Sequence, residues 1–134
     1  MVRKIIGGLV GLVTFFVLAS IIQTVNGLLY GAPPPETMTD LGAMASYVAG
    51  LPVGAFIVLL AGYIVGSYAG GFVARVISRW DSLVIPVVIG VLGTIGWIAN
   101  VAVIPHPLWV IVIGLFCFIP FTLLGHRSAE PLSR

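Results

Sequence analysis

The chain has 134 residues, 60% of them hydrophobic and 7% charged, with a mean hydropathy of +1.20. A soluble domain carries about 25% charged residues to keep its surface wet, so this composition excludes an ordinary globular protein and points to a membrane. Six Lys and Arg against four Asp and Glu leave a formal charge of +2, too few and too scattered for the clustered basic stripe that a nucleic-acid partner requires.

A helix rises 1.5 Å per residue, so about 20 apolar residues cross a hydrocarbon core of about 30 Å. Four uncharged runs reach that length: Ile5 to Tyr30, Leu51 to Ala74, Leu83 to Ile104, and Leu108 to Gly125. They are continuously apolar and do not alternate as barrel strands would, which predicts an all-α fold, a four-transmembrane-helix bundle forming one domain over 1–134. Met1, Val2, Arg3 and Lys4 look like the basic start of a signal peptide. The run from Ile5 to Ile22 exceeds the roughly 7 to 15 residues of a signal core and no A-x-A site follows, so it reads as a retained first span.

The first span carries Gly7 and Gly11, then Gln23 and Asn26 three residues apart on one face. The loop from Gly31 to Gly50 opens with Pro33, Pro34 and Pro35, which favour an extended polyproline conformation. Thr39 or Asp40 then caps a short helix whose Leu41, Met44, Ala45 and Val48 recur at helical spacing, an arrangement suited to the membrane surface. In the second span Gly62, Gly66, Gly70 and Ala74 recur every fourth residue. Lipid tails are as apolar as leucine, so such smooth faces mark close helix packing; an internal partner is expected, a second copy of the chain being the alternative. Pro52 and Pro86 fall in first turns, where a missing N–H breaks nothing, while Pro120 lies inside the fourth span and should bend it. Only about three residues join spans three and four through Pro105, His106 and Pro107, predicting an antiparallel hairpin. The lone Cys117 lies in an apolar run as a small hydrophobe, and nothing in the chain resembles a metal or cofactor motif, so no cofactor is expected.

Arg3, Lys4, Arg75, Arg79, Arg127 and Arg134 all fall on the side shared by the termini, while the long loop has only Glu36 and Asp40. Basic residues are held on the cytoplasmic side, so both termini are expected in the cytoplasm of a multi-pass cell-membrane protein. Tyr30, Tyr47 and Trp109 then mark the outer interface and Trp80 the inner one.

No acid or base falls within the apolar runs, which weighs against proton relays and charge-coupled transport. Gln23 and Asn100 both lie about 25 to 27 Å up their helices. Gln23, Asn26 and Asn100, with His106 above them, therefore form a candidate polar cluster. It reads either as a small ligand pocket or as interhelical bonding worth about 0.6 kcal/mol per bond.

The pattern Pro33-Pro34-Pro35, Leu51-Pro52-Val53-Gly54-Ala55, Gly66-Ser67-Tyr68-Ala69-Gly70-Gly71, Asn100 and Pro105-His106-Pro107-Leu108-Trp109 resembles a group of small four-span bacterial inner-membrane proteins with no assigned activity. The resemblance covers most of the chain and implies a bacterial cytoplasmic membrane. In that group an acidic residue often stands where this chain has Gln23, a departure that weakens any ion-binding role.

The expected function is a non-enzymatic accessory or helix-packing protein whose partners are membrane lipids and itself or another membrane protein. The alternative is a small parallel-oligomeric transporter or channel for a neutral solute, lipid headgroup or ion. An intramembrane enzyme would have only His106 with Glu36 or Asp40 for acid–base work, without a nucleophile or metal.

Overall fold

The computed structural model describes residues 1–133; Arg134, counted above among the basic residues, lies outside them. Five α-helices follow in order: α1 Val2–Tyr30, α2 Leu41–Ala49, α3 Val53–Ser78, α4 Val84–Val103 and α5 Leu108–Ser128. Short 3₁₀ turns occupy Pro35–Met38 and Glu130–Leu132. All but α2 are long and apolar enough to cross a membrane. The protein is an all-α bundle of four spans, and its composition and span lengths are those of a multi-pass membrane protein.

Glycine spacing explains the arrangement around α3. On one side α1 runs antiparallel to it, and small residues of both helices interlock. A methyl group built on Gly66 would stand 2.8 Å from the Phe15 carbonyl oxygen, and one on Gly70 2.8 Å from that of Gly11. Gly62 faces Ile22 at 3.0 Å, while Gly7 and Gly11 of α1 face Ser78 and Ala74 at 2.7 and 2.6 Å. The partner of the Gly62, Gly66 and Gly70 face is therefore the first span of the same chain. On the other side α5 runs parallel to α3 and crosses it closer still, Gly71 lying against the Thr122 carbonyl and Gly125 against that of Tyr68. Backbones this close can exchange Cα–H···O contacts, which any side chain would prevent.

The turn through Pro105, His106 and Pro107 sends α5 back along α4. Phe118 covers Gly93 of α4, and the Trp97 indole covers Gly114 of α5 while donating from Nε1 to the Ile111 carbonyl at 3.2 Å. Phe15, Phe56, Leu60, Trp97, Val110, Cys117 and Phe118 form the main core with Val48 of α2. Tyr63 meets the rings of Trp97 and Phe118 at 5.5 and 5.2 Å between centroids, in the tilted and edge-on geometries that aromatic quadrupoles favour. α1 and α4 touch at the base, where Gly8 faces Ile85 and Gly11 faces Ile89; elsewhere a groove separates them.

Four elements differ from the sequence expectation. The second span continues one turn past Ala74 to Ser78, because Arg75 is not a boundary: its charge is paired within the fold. The fourth ends at Ser128, three residues beyond the expected Gly125, with Pro120 inside it. The triple proline is extended only as far as Pro34 (φ −59°, ψ 152°), since Pro35 opens a 3₁₀ turn in which Thr37 donates from N and Oγ1 to the Pro34 carbonyl. Proline suits that first position because its absent N–H would have had no partner there. Finally, α2, capped as expected by Asp40, which accepts from Gly42 N at 2.8 Å, also packs Val48, Met44 and Tyr47 onto the core with Phe56.

Met1 and Ser133 sit at the end of the bundle where Arg3, Lys4, Arg75, Arg79 and Arg127 lie, the basic end; α2 and the Pro105–Pro107 turn mark the loop end.

Candidate functional site

The amides selected from sequence separate into a pair and two single residues. Gln23 and Asn26 face α3. Asn26 Nδ2 donates to the Ala55 carbonyl at 3.0 Å and lies 3.3 Å from Gln23 Oε1, and Gln23 Nε2 donates to the Leu59 carbonyl at 3.4 Å. They extend the α1–α3 seam upward from its glycines by bonding to carbonyls, although Asn26 Oδ1 remains buried with no hydrogen-bond partner. Asn100 is exposed near the loop end of α4, and its side chain makes no hydrogen bond among the described residues. His106 sits in the α4–α5 turn with Nδ1 2.9 Å from the Ile104 carbonyl and its ring edge-on to Trp97 and Phe56. Asp40 is spent on capping α2 and Glu36 is exposed in its turn. The structure thus joins Gln23 to Asn26 but does not bond Asn100 or His106 to them.

Asn100 instead belongs to the groove between α1 and α4. The loop-end half of that groove encloses about 180 Å³, with Phe16 and Ala19 on one wall and Gly96 and Asn100 on the other. A methyl group on Gly96 would meet nothing within 4 Å. The basic-end half encloses about 350 Å³ between apolar side chains such as Leu9, Leu12 and Val88, with Lys4 and Trp80 at its mouth. A third cavity, about 330 Å³, lies at the loop end beneath α2, with His106, Phe56 and Trp109 in its walls.

A polar cluster that sequence reasoning missed closes the basic end. Arg75 is only 5% exposed. Its Nη1 lies 2.8 Å from Asp81 Oδ1, and its Nε donates at 2.7 Å to Ser133 Oγ, which itself donates to the Glu130 carbonyl. His126 is buried nearby with neither ring nitrogen hydrogen-bonded. Compared with family models, curated proteins and solved structures, the chain has no match. The cluster's chemistry must therefore be read from its own groups. A guanidinium taken out of water needs a counter-charge and acceptors; Asp81 in the α3–α4 connection supplies the charge and Ser133 beyond α5 one acceptor, while Nη1 makes no hydrogen bond. One signal was available: Arg75 follows Gly71 by four residues and so shares the face of α3 turned to α5. No group of three or more His, Cys, Asp or Glu able to hold a metal is found among the described residues.

Proposed function

We propose that this is a non-enzymatic integral protein of a bacterial cytoplasmic membrane, with cytoplasmic termini, that works by packing against another transmembrane helix. The observation that supports this reading is the loop-end half of α4. Gly96 faces open space there, and Asn100, one turn further on, has no hydrogen-bond partner among the described residues. An amide turned toward hydrocarbon is unfavourable until another group bonds to it, and a glycine beside it lets a second backbone approach. Neither residue contributes to the core, so both are free to serve a contact outside the chain.

Site-directed cross-linking in native membranes tests this. A photoreactive residue at Ala99 should capture a partner helix, and Gly96→Leu or Asn100→Leu should abolish the capture while leaving the thermal midpoint of the purified protein unchanged. Capture that survives both substitutions refutes the proposal. Orientation is read separately: Thr37→Cys should react with an impermeant thiol reagent from outside the cell, and Ser133→Cys should not. A second reading, a parallel oligomer that passes a neutral solute, headgroup or ion, draws support from the cavity around His106; it requires solute flux into vesicles holding the purified protein alone.

A further inference from the structure

The basic-end half of the α1–α4 groove has a chemistry of its own. Lys4 lies in the first turn of α1, and its Nζ is 3.9 Å from the centre of the Trp80 ring, which sits in the connection between α3 and α4. Neighbouring Arg3 is held aside by donating from Nε to the Ile77 carbonyl at 2.6 Å. Below Lys4 the walls are apolar down to Leu92, and Lys4 is the one charged side chain among them. The back of the groove is closed where Gly8 meets Ile85 and Gly11 meets Ile89.

We propose that this half-groove binds an acyl chain of an anionic phospholipid, whose phosphate pairs with Lys4 at the mouth. Charge complementarity selects the headgroup: a single ammonium, held by the tryptophan face at the level where apolar wall gives way to polar connection, matches a phosphate that has no cation of its own beside it. Shape selects the tail. The space of about 350 Å³ is a narrow apolar groove between two helices that already touch at its floor, where Gly8 meets Ile85 and Gly11 meets Ile89. An unbranched chain enters without parting α1 from α4. This inference concerns the opposite half of the groove from Gly96 and Asn100 and does not depend on the helix-packing reading.

Native mass spectrometry of the full chain released from vesicles tests it, using equal parts phosphatidylglycerol and phosphatidylcholine with identical acyl chains. The protein should retain phosphatidylglycerol about fivefold over phosphatidylcholine, the factor that one lysine contributes near an anionic surface. Lys4→Gln should bring that ratio to about one. Gly8→Leu should remove retention of both lipids, because its side chain would enter the groove and meet only Ile85 Cγ2, at 3.7 Å. Val88→Phe fills the same space from the α4 wall and gives an independent check should Gly8→Leu fail to fold. Unchanged retention in the Lys4 variant and in the folded groove-filling variant overturns the proposal. So does a wild-type spectrum whose bound mass is a second copy of the chain lost on Gly8→Leu.

Discussion

Gly7 and Gly8 are adjacent on α1 and serve opposite purposes. Gly7 looks into the seam with α3, where a methyl group would stand 2.7 Å from Ser78 Cβ; Gly8 looks into the groove toward α4, where the nearest atom is 3.7 Å away. One helix therefore has a closed glycine face and an open one, separated by about 100° of rotation. In water the open face would be a defect to be filled. In a bilayer it remains solvated by lipid, so a small residue there can keep space instead of removing it. Glycine in a span thus has two meanings, and only the position of the neighbouring helix distinguishes them.

Leucine substitutions sharpen or break this contrast, and the largest effect should come from the α3–α5 crossing. Gly71→Leu would drive a branched side chain into the Thr122 carbonyl, where neither helix can yield without parting. We expect a loss above about 3 kcal/mol, or no folded protein, by thermal melting in detergent. Gly7→Leu and Gly66→Leu act on the α1–α3 seam and should each cost about 1–3 kcal/mol, with α1 displaced as a unit. If either melts with the wild type, the seam is looser than its distances imply. Asn26→Leu removes the bond to the Ala55 carbonyl at the top of the same seam and should cost only about 0.6–1.7 kcal/mol in chemical unfolding. Gly8→Leu should shift stability by no more than about 0.5 kcal/mol, because its half-buried position has room for the side chain along the groove. Equal losses for Gly7→Leu and Gly8→Leu would erase the distinction between the two faces.

The four spans were legible because uncharged length is a one-dimensional signal, and the hairpin because three residues between two spans leave no other course. The order of helices around the bundle was not legible. The Gly62, Gly66 and Gly70 face is visible in sequence, yet nothing in it names α1 as the partner. Matched depths of Gln23 and Asn100 suggested one cluster, but depth fixes height and not azimuth. Gly93 and Trp97 turn α4 toward α5, which leaves Asn100 in the groove while Gln23 and Asn26 bond to α3. The α3 boundary was misplaced for a related reason. A basic residue after an apolar run reads as the edge of a membrane, and only the fold reveals that Arg75 is paired and the helix continues.

The partners of Arg75 also set an order of events during synthesis. Asp81 follows in the connection directly after α3, but Ser133 lies 58 residues downstream of Arg75, a delay of roughly 3 to 12 s at ribosomal speed. Through that interval α3 holds a guanidinium whose final hydrogen bond does not yet exist, and α5 must already lie beside α3 before it can form. The basic end of the nascent bundle is therefore completed last, and the wait falls on a guanidinium that the fold buries.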